Sequence, residues 1–183
     1  PNSQRSIYMK KSVYPSEPAG TVRAPASKSE MQRAVAAAAL AHGQSMIINP
    51  SFCDDSKAAM DIARSLGSRI NTFSDCVIID GGLAPSSDLL DCGESGLGVR
   101  MFTPIAALTG RRITLTGRGS LLRRPVSTIE QSLLELGAAV KSNNGMLPIE
   151  VLTKLTGGRT TIDGSLSSQF LTGLLMALPA AGQ

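Results

Sequence analysis

The chain has 183 residues, of which 42% are hydrophobic, and its formal net charge is +4. It is long enough for a packed core, and because tryptophan is absent and aromatic residues make up 3%, that core is expected to consist of Ala, Leu, Ile, Val and Met. So few aromatic side chains argue against nucleic-acid binding by base stacking, and no apolar run reaches the ~18–20 residues of a membrane helix. The modest basic excess suits anionic small molecules as partners.

The cysteines Cys53, Cys76 and Cys92 are odd in number and widely spaced, and none belongs to a CxxC pair. This pattern favours neither a disulfide framework nor a zinc site. The sequence therefore predicts a reduced, cytoplasmic setting, and it predicts no metal and no cofactor.

The first predicted helix lies in "SKSEMQRAVAAAALAHG", residues 27–43. The free N–H groups and the dipole at a helix start attract anions. Ser27, Lys28 and Ser29 stand at that start, and Arg33 follows about one turn later. These residues predict a site for phosphate or carboxylate groups. The alternative is a serine cap beside a solvated lysine.

A strand is predicted next, within residues 45–51, and is followed by a helix that begins near Asp54 and Asp55 and ends at residue 67. The two aspartates fit the N-terminus of that helix, or they orient a partner at the mouth of a cleft. Short strands are predicted at Val77–Ile79 and Leu89–Leu90.

The pattern then repeats in "ESGLGVRMFTPIAALTG", which ends at residue 110. Arg33 and Arg100 are 67 positions apart, so each copy carries an arginine at the same place in its helix. The glycines in this segment would let a ligand approach the backbone. Arg100 would then bind that ligand, and the alternative is a structural ion pair with Glu94. A second helix then runs through "TIEQSLLELG", and strands are predicted at Ile149–Val151 and Thr160–Ile162.

A third copy begins in "SSQFLTGLLMALPAAG", residues 167–182. The sequence thus predicts an α/β (α+β) fold of βαβαββ units, two complete and a third truncated, related by a pseudo-threefold axis. Because a unit that stops after its first helix leaves an apolar face uncovered, we expect the chain to be a piece of a longer protein. Three helix starts would then converge on one anionic ligand surface.

Four blocks, "PASKSEMQRA", "GESGLGVRMFTPIAAL", "RGSLLRRPV" and "DGSLSSQFLTGLLMALPA", resemble in order and spacing those of the 3-phosphoshikimate 1-carboxyvinyltransferase (EPSP synthase) family. The resemblance implies an enzyme of two lobes, each with three such units and each half of an inside-out α/β barrel. It assigns residues 21–183 to the N-terminal lobe, with the C-terminal lobe as its missing partner. Residues 1–20 are predicted to hold an N-terminal strand, which the resemblance allows to belong to the other lobe.

The resemblance further implies transfer of the enolpyruvyl group of phosphoenolpyruvate to the 5-hydroxyl of shikimate 3-phosphate, a step towards chorismate and the aromatic amino acids. Lys28 would be the catalytic residue and would contact both substrates. The other implied contacts to shikimate 3-phosphate are Ser29, Arg33, Ser167, Ser168 and Gln169. Those to phosphoenolpyruvate are Gly96, Arg124 and Gln169. Where the family commonly has Asn-Ala-Gly-Thr, this chain has Glu94-Ser95-Gly96-Leu97.

Three alternatives stay open at this point. The first is the related enolpyruvyl transferase acting on UDP-N-acetylglucosamine, which typically has Lys-Asn at the position of Lys28 and Ser29 and a cysteine in the loop before Arg-Pro, where this chain has none. The second is a protein of similar repeats that binds nucleic-acid ends, and the third is a non-catalytic anion-binding lobe. The retained Lys28, Arg33 and Arg124 argue against the last. Because the family's acidic proton shuttles lie in the other lobe, this chain alone is expected to be inactive.

Overall fold

The computed structural model of the chain describes residues 11–165 and 168–182. This part of the chain contains five α-helices and seven strands. The helices are α1 (Lys28–Leu40), α2 (Asp54–Ser65), α3 (Gly96–Ala107), α4 (Thr128–Glu135) and α5 (Gln169–Ala177). The strands are β1 (Gln44–Ile48), β2 (Arg69–Thr72), β3 (Cys76–Asp80), β4 (Leu89–Asp91), β5 (Ile113–Thr116), β6 (Val140–Asn143) and β7 (Met146–Val151). The predicted α/β class is confirmed.

The strands form two separate sheets. The first is antiparallel, with the order β1-β3-β2, and the second has the order β4-β5-β7-β6, in which β4 and β5 are parallel. β4 and β5 pair in parallel because α3, which lies between them in the sequence, carries the chain from the end of β4 back to the start of β5. The second sheet with α3 and α4 is the predicted βαβαββ unit, and α1, β1, α2, β2 and β3 repeat its last five elements.

One predicted strand is confirmed and another is absent. Leu89–Leu90 is part of β4, which pairs with β5 and opens the second sheet. Thr160–Ile162 is not a strand. The preceding Gly157 and Gly158 have φ angles of +94° and +145°, which turn the chain out of an extended path, and the Thr160 hydroxyl donates to Glu135 at the end of α4 at 2.7 Å.

The N-terminal strand predicted within residues 1–20 stays a prediction. Residues 1–10 lie outside the described part of the chain, and residues 11–20 are exposed and have no helix or strand. Residues 21–27 reach the start of α1 without regular structure.

The core consists mostly of aliphatic side chains, as the composition predicts. In α3 the residues are all buried except Arg100. The helix contacts α5 along its length, and Gly173 of α5 makes their close approach possible. A Cβ atom on Gly173 would lie 2.8 Å from the carbonyl oxygen of Met101 and 2.9 Å from that of Arg100. This packing brings the starts of α3 and α5 together.

Candidate active site

The starts of the three repeated helices are joined by side-chain hydrogen bonds. The hydroxyl of Ser95, which caps α3 by accepting from the Gly98 N–H at 2.9 Å, donates to Gln32 Oε1 of α1 at 2.6 Å. Arg100 of α3 donates from Nη1 to Gln169 Oε1 of α5 at 3.4 Å. Because Gln32 and Ser95 are buried, these contacts set the positions of the helix starts relative to each other. The starts of α1, α3 and α5 therefore lie close together, as the repeat predicts.

Lys28 is the first residue of α1, and its side chain is 57% exposed. Its ammonium lies 2.9 Å from the Asp55 carboxylate in the first turn of α2. The hydrogen bond that Lys28 donates to Asp55 and the negative charge of Asp55 raise the pKa of Lys28, while burial and the charge of Arg124 oppose the rise to a smaller extent. Lys28 is therefore a protonated cation near neutral pH, held between the starts of α1 and α2.

Gly96, Arg124 and Gln169 form a second group together with Arg100. A Cβ atom on Gly96 would lie 3.0 Å from Nη1 of Arg100, 3.0 Å from Nη1 of Arg124 and 3.7 Å from Gln169 Oε1. Three residues predicted to contact substrate are thus next to one another. The charge of Arg124 also lowers the pKa of Lys28, the first residue of α1. The result is a concentration of positive charge around a glycine backbone.

The predicted contacts to shikimate 3-phosphate are only partly joined to this group. The Arg33 guanidinium is half-buried and donates to the Ser29 carbonyl within α1 at 3.3 Å. Ser168 directly precedes α5, and its exposed side chain makes no capping hydrogen bond there. Among the described hydrogen bonds, none links Arg33 or Ser29 to Ser168. Ser167 lies outside the described residues.

Arg100 also lies in this site, although the sequence motif did not assign it a contact to either substrate. It is half-buried and donates to the Gly96 carbonyl at 3.1 Å and to the Pro125 carbonyl at 2.9 Å, besides its bond to Gln169. Burial lowers its pKa, and the nearby charge of Arg124 adds to this effect. The proposed ion pair with Glu94 is wrong for the described residues, because Glu94 accepts from the Ser120 N–H instead. The signal for Arg100 was its repeat spacing from Arg33.

Asp55 is a second residue of the site to which the sequence motifs assigned no substrate contact. The sequence offered two interpretations of the aspartate pair, a helix N-terminus or a group that orients a partner, and the structure confirms the first. Both aspartates lie in the first turn of α2, where negative charge is favourable, and Asp55 also pairs with Lys28. Cys53 directly precedes α2.

The three thiols differ in surroundings. Burial raises the pKa of the exposed Cys53 thiol, but hydrogen bonds from Ser56, Ser51 and nearby backbone N–H groups outweigh it, so the pKa is lowered overall. Burial and the charge of Asp75 raise the pKa of Cys76. Cys92 is completely buried, and this raises its pKa further.

We expect Cys53 to react with iodoacetamide at least about ten times faster than either other thiol of the folded chain, because the thiolate is the nucleophile. As the pH is lowered, the reaction of Cys53 should persist to a lower pH than that of Cys76, because its lowered pKa leaves a larger fraction of the thiol ionised. The measurement is peptide mass spectrometry over time at several pH values. A Cys53→Ser variant is the control and should remove the fast phase. Equal rates for Cys53 and Cys76 would contradict the prediction.

The described helices include none that is both long and apolar enough to cross a membrane.

Comparison with known proteins identifies similar chains. The family model of EPSP synthase (3-phosphoshikimate 1-carboxyvinyltransferase) matches residues 14–183. The chain is 36% identical over 175 residues to the 3-phosphoshikimate 1-carboxyvinyltransferase of Methanocorpusculum labreanum, covering 93% of this chain and 42% of that protein. It is 41% identical over 171 residues to the protein of the same name from Korarchaeum cryptofilum, covering 90% and 40%.

A solved structure, the EPSP synthase from Acinetobacter baumannii, superposes on this fold with a TM-score of 0.77 and 27% sequence identity. The superposition covers 86% of this chain and 38% of that one. The chain therefore spans about two fifths of the length of the proteins it matches. The likeness extends over nearly the whole chain, including all three repeated helices.

Proposed function

The chain belongs to the EPSP synthase family, and from this premise we propose that it forms part of an enzyme that transfers the enolpyruvyl group of phosphoenolpyruvate to the 5-hydroxyl of shikimate 3-phosphate. The phosphate of phosphoenolpyruvate is released in this reaction. The partners are phosphorylated small molecules and the rest of the protein. With three free thiols in the chain, we place the reaction in the cytoplasm.

One observation carries the proposal: the guanidinium groups of Arg100 and Arg124 meet beside the backbone of Gly96, and the charge of Arg124 also acts on Lys28. Like charges cost energy when they are held together in the absence of a counterion. Such an arrangement is favourable when a multiply charged anion binds between them. Both substrates of the proposed reaction are anions of this kind.

We assign the residues to the two ligands as the family motifs do. Shikimate 3-phosphate would lie at the starts of α1 and α5. Its contacts would be Lys28, Ser29, Arg33, Ser167, Ser168 and Gln169. Phosphoenolpyruvate would lie at the start of α3, in contact with Gly96, Arg124, Lys28 and Gln169. The positions of Arg124 and Gln169 beside Gly96 support this second assignment.

The chemistry needs the cations for two reasons. Two phosphorylated substrates repel each other, and holding them in reacting geometry lowers the barrier by several kcal/mol, within the roughly 7–11 kcal/mol that orientation is able to supply. Protonation of the methylene carbon of phosphoenolpyruvate then creates a cationic centre at the neighbouring carbon, and the 5-hydroxyl oxygen attacks this centre and loses its proton. The tetrahedral intermediate next loses phosphate together with a proton from the new methyl group, which restores the enol double bond. Lys28, protonated and exposed, is suited to stabilise that leaving phosphate or to assist proton transfer.

We expect this chain by itself to bind shikimate 3-phosphate weakly and to release no phosphate when phosphoenolpyruvate is added. The binding follows from the groups at the starts of α1 and α5, and the missing turnover from the family's acidic groups in the other lobe. The measurements are an NMR titration of backbone amides and a coupled phosphate assay. A variant with both Arg33→Ala and Ser168→Ala should bind at least about tenfold more weakly, since charge-assisted hydrogen bonds are lost.

The control for this titration is Arg69→Ala, which removes an exposed arginine on β2. It should leave the affinity unchanged. Unchanged amide shifts at the starts of α1 and α5 on addition of ligand would contradict the assignment of the binding residues. Sustained phosphate release by the chain alone would contradict the need for the second lobe.

A further inference from the structure

The loop between β4 and α3 is bonded to the loop that follows β5. The Arg118 N–H donates to the Gly93 carbonyl at 2.7 Å, and the Arg118 guanidinium pairs with Asp91 at 2.8 Å. The first loop carries Glu94 and leads to Gly96, and the second carries Arg124. The relative position of these two loops therefore decides how far Arg124 lies from the start of α3.

Glu94 contributes the central contact between the loops. Its Oε2 accepts from the Ser120 N–H at 3.0 Å. Gly119 has a φ of +58°, and a Cβ atom there would overlap the Glu94 carboxylate. The hydrogen bonds from Ser120 lower the pKa of Glu94, and the charges of Arg118 and Arg124 lower it further. The carboxylate thus lies directly on the backbone of Gly119 and Ser120.

From Ser120 the contacts continue to the site. Arg124 donates from Nη2 to the Ser120 hydroxyl at 3.4 Å, and its backbone N–H donates to the Leu121 carbonyl at 3.1 Å. Its Nη1 then lies beside Gly96. A series of contacts therefore runs from Glu94 through Ser120 to the guanidinium that we assign to phosphoenolpyruvate.

We propose that Glu94 is a positioning residue, which holds the Ser120 loop so that Arg124 faces Gly96 when phosphoenolpyruvate binds. The proposal rests on the function proposed above, since it takes Arg124 as the phosphoenolpyruvate contact. Glu94 has two opposite effects on that ligand. Its hydrogen bond orders the loop, which favours binding, while its negative charge near Arg124 repels the anion. The geometric effect is the larger one in this proposal.

Three variants of the whole protein separate the two effects. Glutamine at position 94 keeps an oxygen acceptor for the Ser120 N–H and removes the charge, whereas alanine removes both. We expect Glu94→Ala to raise the KM for phosphoenolpyruvate by about tenfold, as for one lost charge-assisted hydrogen bond, with the KM for shikimate 3-phosphate within about twofold of wild type. Glu94→Gln should leave the KM for phosphoenolpyruvate unchanged or lower it. Asp88→Ala removes a carboxylate that pairs with Arg111 and should change neither constant.

A second readout does not depend on turnover. Hydrogen exchange of the Ser120 amide in the ligand-free protein should be faster in Glu94→Ala and close to wild type in Glu94→Gln. If both variants lower the KM for phosphoenolpyruvate, Glu94 acts as a repulsive charge and the proposal is overturned. Unchanged exchange at Ser120 in Glu94→Ala would overturn it as well. An inactive wild-type protein whose Ser120 exchange still depends on Glu94 would refute the proposed function and leave the loop contact standing.

Discussion

Replacing Lys28 by methionine in the whole protein is expected to reduce turnover by a factor of about 10²–10⁴, the range of a positioned proton-transfer or charge-stabilising group. The reason is its place at the start of α1, where Asp55 keeps it protonated and Arg124 is close by. Methionine preserves the length of the side chain and removes the charge. Lys28→Arg should also lose turnover, because the planar guanidinium does not fit a point-charge position between two ligands.

Neither substitution should change the free energy of unfolding by much. The side chain of Lys28 is 57% exposed and that of Asp55 is 21% exposed, and a surface ion pair contributes roughly 0–1 kcal/mol to the free energy of unfolding. The measurement is steady-state kinetics beside thermal melting curves, with Lys141→Met on the exposed side of β6 as the matched control. Near-normal turnover in Lys28→Met would mean that the lysine is a surface group at a helix start and nothing more.

Gly173→Ala is expected to destabilise the chain by about 1–3 kcal/mol, as is usual when a methyl group is forced into a packed contact. The new Cβ would lie 2.8 Å from both the Cα and the carbonyl oxygen of Met101. Pro104 has no N–H to offer the Arg100 carbonyl, so α5 packs against that oxygen with its own backbone. The higher helix propensity of alanine, worth about 1 kcal/mol, offsets only part of the cost.

The loss should appear as a fall in Tm of several degrees, at roughly 2–4 °C for each kcal/mol in a chain of this size. Gly164→Ala is the matched control, because Gly164 is exposed and no atom lies within 4 Å of its added Cβ. We also expect Gly173→Ala to weaken binding at the site, since separating α3 from α5 moves Gln169 away from Arg100. A Tm equal to that of the Gly164→Ala control would show that the two helices adjust without cost.

Local features could be predicted from the sequence because they depend on residues close together in the chain. The five helices follow from apolar spacing, from small polar residues at their starts and, for the serine caps, from Ser27 and Ser95. The repeat of these signals also predicted that the helix starts converge. The resemblance to the family, which depends on the order of motifs alone, identifies Gly96 and Arg124 as candidate site residues.

Contacts between distant segments required the tertiary structure. Arg100 binds Gln169, 69 positions away, and Glu94 binds Ser120, 26 positions away, and no local pattern distinguishes these partners from other polar residues. The pairing of β4 with β5 and the loss of the predicted strand at Thr160–Ile162 were decided in the same way. A strand exists only where a neighbouring backbone accepts its hydrogen bonds, and an ion pair only where packing brings its two charges together. Caps and periodicity are set within a few residues, whereas these contacts are set by how α1, α3 and α5 pack.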